Sequence, residues 1–159
     1  MGARAEALAR QFETKAQEAT TVFRSLGDAD WKKTTGAEKW TVGVTAHHIA
    51  SSHEGIAGII KTIAAGQAML HFTMEMLHEM NAKHAKEHAA TTKTETLALH
   101  EKGAAAAAAI VRGLSDDQLA KTGTVLGGMP PMSVEQVITN ILIHHVDDHL
   151  GSIRKTIGA

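Results

Sequence analysis

Apolar side chains recur at three- and four-residue spacing through four long stretches of this chain, and no stretch alternates apolar with polar residues for the length of a strand. Helical stripes of this kind must be buried against one another, so the pattern predicts an all-α fold. The first stretch covers residues 3 to 26, rich in Ala, Glu, Arg and Gln, with Leu8, Phe12, Ala16, Ala19 and Phe23 on one face and Gly27 as its stop. A polar loop, DADWKKTTGAEK, follows. The second helix opens at Trp40-Thr41 with Thr41 as N-cap, and runs through Val44, His48, Ile49, Ser52, Ile56, Ile59, Ile60 and Ile63 to about Gly66.

Residues 67 to 91 are rich in Met and His and read as a connector that contains or becomes helix. Thr92 and Glu95 form a capping box for the third helix, which passes through GAAAAAAIVRG to Gly113. Ser115 and Gln118 start a short helical turn, TGTVLGGMPP reads as a loop with TVL at 124 to 126 the one candidate strand, and Ser133 with Gln136 caps a last helix to about Ile157. Four long helices with one long connection between the second and third predict a four-helix bundle, spanning residues 1–159 as a single domain.

Composition narrows the function classes. Lys plus Arg number 16 against 17 Asp plus Glu, a balance that leaves no electrostatic footprint for nucleic acid or an anionic membrane. There is no cysteine, so disulfides and thiolate ligands from the chain are excluded, and any thiol chemistry needs a thiol from outside. The N-terminus has no apolar signal core and no run approaches membrane-spanning length, which predicts a cytoplasmic protein. Eleven histidines stand out against this ordinary background.

Their arrangement matters more than their number. HHVDDHL, residues 144 to 150, holds two side-by-side i,i+4 pairs, His144 with Asp148 and His145 with His149. At about 100° per residue, Val134, Ile138, Ile141, Leu142, Ile153 and Ile157 define an apolar stripe that includes His145 and His149, while His144 lies off its edge. The same construction on the second helix turns His48 inward with Ser52, Ile56, Ile59 and Ile63, points His47 the other way and leaves His53 near the boundary. Three inward imidazoles on two helices admit two readings. They are hydrogen-bonded core residues, or they converge on a divalent cation that takes their acceptor nitrogens.

WTVGVTAHHIA, with a histidine eight residues after Trp40, and HHVDDHLGSIRKTIG, an H-x-x-x-H pair before Gly and Arg, resemble the second and last helices of the DinB-like superfamily. Asn81, the Ala-rich third helix and GLSDDQL also fall where DinB-like proteins and the mycothiol-dependent maleylpyruvate isomerases carry similar segments. The resemblance implies a bundle with a long crossover and a divalent metal, zinc or nickel, held on the matching positions His48, His145 and His149. It further implies a homodimer and a metal-dependent enzyme acting on a small molecule with a low-molecular-weight thiol, in S-transfer or isomerisation. The competing reading is a non-catalytic, stress-associated bundle that binds metal or ligand. Glu54, Asp148 and His53 lie one or two turns from these histidines and are the acid–base candidates, with an exposed residue or a partner to a ligand as the plainer reading of each. The isomerases carry a further C-terminal domain that contributes to substrate binding, whereas this chain runs ten residues past His149, which speaks against carrying maleylpyruvate over as the substrate.

Other motifs carry less. HAKEH, residues 84 to 88, fits the H-x-x-E-H pattern of inverted zinc proteases, but its polar surroundings predict a solvated helix face. Met69, Met74, Met76, Met80, Met129 and Met132 are expected to fill a core or dimer interface, Trp31 and Trp40 to anchor the loop, and His71, His78 and His100 to lack partners.

Overall fold

Side-chain caps fix where several helices of this protein begin. The structure, a computed structural model, describes residues 2–69 and 71–158. In chain order it contains α1 (Ala3–Ser25), α2 (Asp28–Trp31), α3 (Val42–Ala64), α4 (Met74–Glu87), α5 (Lys93–Arg112), α6 (Asp116–Ala120), the antiparallel pair β1 (Thr122–Gly123) and β2 (Met132–Ser133), α7 (Val134–Val137) and α8 (His144–Ile157). Thr41 Oγ1 accepts from the Val44 N–H at 3.1 Å, and the boxes Thr92/Glu95, Ser115/Gln118 and Ser133/Gln136 are all closed. The connector, read as containing helix, holds α4. The short strand lies at Thr122–Gly123, ahead of the expected TVL, because its hydrogen bonds go to Met132–Ser133. No helix among the described residues is long and apolar enough to cross a membrane.

A π-helical stretch, Ile138–Ile143, joins α7 to α8 into one long last helix. Its cause is visible in the sequence. Val134, Ile138, Leu142, Val146 and Leu150 are buried and repeat every four residues. In a regular α-helix each such step drifts by about 40°, so the stripe would wind off the core. The π stretch absorbs one extra residue, a lag of about 100°, and keeps the stripe straight.

α1, α3, α5 and the last helix form the four-helix bundle. α5 packs on α1 and α3, and the last helix packs on the same two, so the sequence neighbours α1 and α3 face each other diagonally. α1 and α5 are antiparallel. The Lys93 ammonium at the start of α5 donates to the Leu26 carbonyl at the end of α1 at 2.9 Å, and Arg112 at the far end pairs with Glu6 and Glu13 near the start of α1. Gly103 lets α5 approach α3 closely, since a Cβ there would stand 3.2 Å from the Ala50 carbonyl oxygen. The alanine tract continues this contact with Ala107 and Ala108 buried.

Two histidines, His53 read near the boundary of its helix face and His100 read as lacking a partner, sit in the core. His53 and His100 are each 1% exposed. His100 Nε2 lies 2.8 Å from the Ala16 carbonyl, which can only accept, so that nitrogen carries the proton. His100 Nδ1 therefore accepts from His53 Nε2–H at 2.9 Å. The relay links α3, α5 and α1, with Phe12 edge-on to His53 and Phe23 edge-on to His100. His100 thus has a partner, supplied by another helix that spacing along its own cannot reveal. Of the methionines, Met132 packs against the core, while Met74, Met76, Met80 and Met129 are 44, 41, 57 and 54% exposed and fill no core within the single chain. Replacing His100 by Leu strands the Ala16 carbonyl and the His53 N–H. The expected loss is about 1–3 kcal/mol of unfolding free energy, read as a lower urea midpoint. An unchanged midpoint would show that the relay contributes nothing.

Candidate metal centre

His48 stands on α3 about two turns after the Thr41 cap, and His145 and His149 stand one turn apart on α8. His48 is 7% exposed, His145 and His149 are half-buried, and His144 is exposed. The π stretch sets the direction of the α8 pair. Its lag gives the middle of the buried stripe to Val146, Leu150 and Ile153, and His145 and His149 turn toward α3 rather than the bundle axis.

The three imidazoles meet. Ring centroids are 4.8 Å apart for His48–His145, 4.9 Å for His48–His149 and 4.5 Å for His145–His149. One nitrogen from each lies within 4.8 Å of the other two. His48 Nε2 and His145 Nε2 face each other at 2.9 Å, where a metal-free pair uses one proton between two nitrogens. A zinc-like ion with bonds of about 2.0–2.1 Å needs nitrogens about 3.3 Å apart, so side-chain shifts of about an ångström complete a three-imidazole set. Each ring can supply a neutral donor nitrogen, and the residues fit a divalent cation.

Glu38, which sequence reasoning passed over, orders the site. His149 Nδ1–H donates to Glu38 Oε2 at 2.6 Å and the Ser152 hydroxyl donates to Oε1 at 2.6 Å. With its Nδ1 proton held there, His149 keeps the Nε2 lone pair for the cluster, the arrangement in which a carboxylate orients a histidine ligand. Burial raises the Glu38 pKa, but the hydrogen bonds from Ser152 and His149 outweigh it and hold the carboxyl below its usual range. Lys39, beside it, adopts φ 65°, a left-handed conformation rare outside glycine. It separates Glu38 from Trp40, whose ring lies edge-on to His48 at 5.2 Å. The one clue in the sequence was a carboxylate two residues before the tryptophan that opens α3. Trp31 anchors the same loop, donating from Nε1 to the Thr91 carbonyl at 3.0 Å.

The acid–base candidates fall elsewhere. Glu54 and Asp148 are exposed and neither hydrogen-bonds to the three imidazoles. His53 is committed to His100. Asp148 lines a polar surface hollow with Lys155, Thr34 and Ser152, and Ser152 connects it to His149 through Glu38. His47, expected to point away, is buried at 7%, because α4 covers that face of α3 and brings His84 and His88 against it. The HAKEH motif is accordingly not a solvated face: both of its histidines are half-buried, while Glu87 is exposed.

Burial lowers the His48 pKa from 6.5 to about 2, with His145, His149 and His84 adding to the shift. Burial likewise takes His145 to about 3, aided by His149. Both rings are therefore neutral at neutral pH, as a ligand must be.

A match to the DinB superfamily spans residues 11–153. Among solved structures the chain is similar to YfiT from Bacillus subtilis, described as "a probable metal-dependent hydrolase with an unusual four-helix bundle topology", with a TM-score of 0.75 at 16% identity over 99% of this chain and 90% of that one. It is also similar to the mycothiol-dependent maleylpyruvate isomerase, with a TM-score of 0.73 at 14% identity over 96% of this chain and 63% of the isomerase. At these identities the likeness is one of fold. No curated protein sequence matches the chain significantly.

Two outcomes are expected. Glu38→Ala weakens cation binding about 10–100-fold, measured by competition with a chromophoric chelator, and unchanged affinity would separate Glu38 from the site. For the metal-free protein, the folded state holds His48 and His145 below the unfolded value of 6.5 and so binds fewer protons than the unfolded chain. Their stabilising effect is full above pH 6.5 and is lost as pH falls from there toward about 3. The Tm of chelator-treated protein should drop steadily from pH 7 to pH 4, and a flat profile would contradict the burial of these rings.

Proposed function

The chain belongs to the DinB superfamily, and from that premise we propose that it is a single-domain, divalent-metal-binding protein that acts as a metal-dependent enzyme with a low-molecular-weight thiol, in S-transfer or isomerisation. The observation that carries this reading is the meeting of His48, His145 and His149 on one point, with the outer nitrogen of His149 tied to Glu38. An all-imidazole set suits zinc or nickel better than magnesium or calcium. Three protein ligands leave room for an exogenous group, the pattern of catalytic rather than closed structural sites.

The fold relatives add chemistry to this. One is described as metal-dependent and the other as mycothiol-dependent. A cation in the cluster supplies Lewis acidity and lowers the pKa of a thiol or water that joins it. The chain's own residues do the rest. Glu38 holds the His149 proton and fixes the ring, Ser152 fixes Glu38, and Trp40 packs edge-on against His48. With no cysteine in the chain, the thiol comes from solution. Asp148, at the edge of the polar hollow, is placed to meet a charged cosubstrate, whereas Glu54 on the outer side of α3 has no such setting. The exposed methionines of α4 favour pairing of two copies.

Cobalt-substituted protein tests the reading. A small thiol should shift its visible spectrum, and His145→Ala should lose one equivalent of bound cation while His144→Ala loses none. A cobalt spectrum indifferent to every thiol would instead favour the non-catalytic alternative, a closed metal-binding bundle. Equal retention of cation by His145→Ala and His144→Ala would remove the site altogether.

A further inference from the structure

α4 is an anomaly in this fold: it carries no buried residue, yet it lies across α3. Burial of apolar surface therefore does little to hold it. What its C-terminal end does bring to α3 is a pair of imidazoles, His84 in the last turn and His88 at the C-cap, set against the buried ring of His47. His47 Nδ1 and His84 Nε2 are 2.7 Å apart, His47 and His88 stack at 4.1 Å between centroids, and His84 and His88 stand 4.8 Å apart. One nitrogen from each of the three lies within 4.8 Å of the others.

The hydrogen bonds of this cluster are incomplete. The single bond within it joins His47 to His84, and the Nδ1 of His84 is buried with no partner. Leaving a buried ring nitrogen unmet is costly, and the cluster contains no carboxylate that would turn it into ordinary ion pairs: the nearby Glu87 pairs with Lys83 instead. Three imidazoles at this separation, His84 on α4, His88 four residues on at its C-cap and His47 on α3, make a neutral nitrogen donor set that late first-row divalent cations prefer.

We propose that His47, His84 and His88 form a second divalent-cation site, of the zinc or nickel class, which fastens α4 to α3 beside the first cluster. The two clusters adjoin: the His84 ring is 5.5 Å from that of His48 and 6.5 Å from that of Trp40. Loading the second site thus fixes the helix that borders the first. The proposal stands on its own residues and does not require the first cluster to hold metal.

The test uses the full chain, stripped with a chelator, dialysed against Zn2+ and assayed by elemental analysis. The unaltered protein should hold two equivalents, the double variant His84→Ala/His88→Ala one, His145→Ala/His149→Ala one, and the fourfold variant none. His78→Ala, on an exposed position of α4, should keep two. Retention of the full complement by His84→Ala/His88→Ala overturns the proposal, as does a single equivalent that both double variants lose, which would be one shared ion. Failure of the first cluster alone has a different signature, full retention by His145→Ala/His149→Ala. Trypsin gives an independent reading at Lys83 and Lys86. Zn2+ should slow cleavage there in the unaltered chain and in His145→Ala/His149→Ala, and equal cleavage of the unaltered chain with and without Zn2+ counts against the site.

Discussion

A neutral imidazole brings one donor and one acceptor into any interior it enters, and the placement of this protein's helices follows from meeting that demand. His53 and His100 meet it by a relay that ends on the Ala16 carbonyl. The relay crosses α3, α5 and α1 and is itself walled by Phe12 and Phe23. His48, His145 and His149 meet it only in part: they face one another, His149 is tied outward to a carboxylate, and the Nδ1 of His145 is buried without a partner. The first arrangement is closed and holds the bundle together. The second brings one nitrogen from each ring within 4.8 Å of the other two, the closeness a cation site needs.

The diagonal placement of α1 and α3 has consequences beyond packing. With α5 seated between them, the chain leaving α3 must travel to a helix position it cannot reach by a tight turn, and residues 65–92 are that path. α4 forms along it and lies over the outward side of α3. His47 is covered by that helix, and His84 and His88 gain a neighbour. The same topology therefore accounts for both histidine clusters, one between α3 and α8 and the other between α3 and α4.

The π stretch is the other determinant of the site. A four-residue apolar repeat cannot stay on one side of a regular α-helix, and the irregular turn at Ile138–Ile143 resolves the conflict before His145 is reached. Val146, Leu150 and Ile153 then take the core, and the histidines take the flank that faces α3. Without the extra residue of lag the same histidines would point to the bundle axis, away from Glu38.

Sequence by itself determined the helices, their caps and the approach of three histidines. Thr41, Thr92, Ser115 and Ser133 act within a few residues of themselves, and periodicity along α3 and α8 is likewise local, so both are written in the order of residues. The pairing of His53 with His100, the burial of His47, the meeting of His84 and His88 with it, and the grip of Glu38 on His149 were decided by tertiary structure. Each joins residues from separate elements, and in three of them a loop or a connector with no periodic signal supplies the partner. A helical wheel reports which way a side chain leaves its own axis; what stands in front of it depends on where the other helices pack.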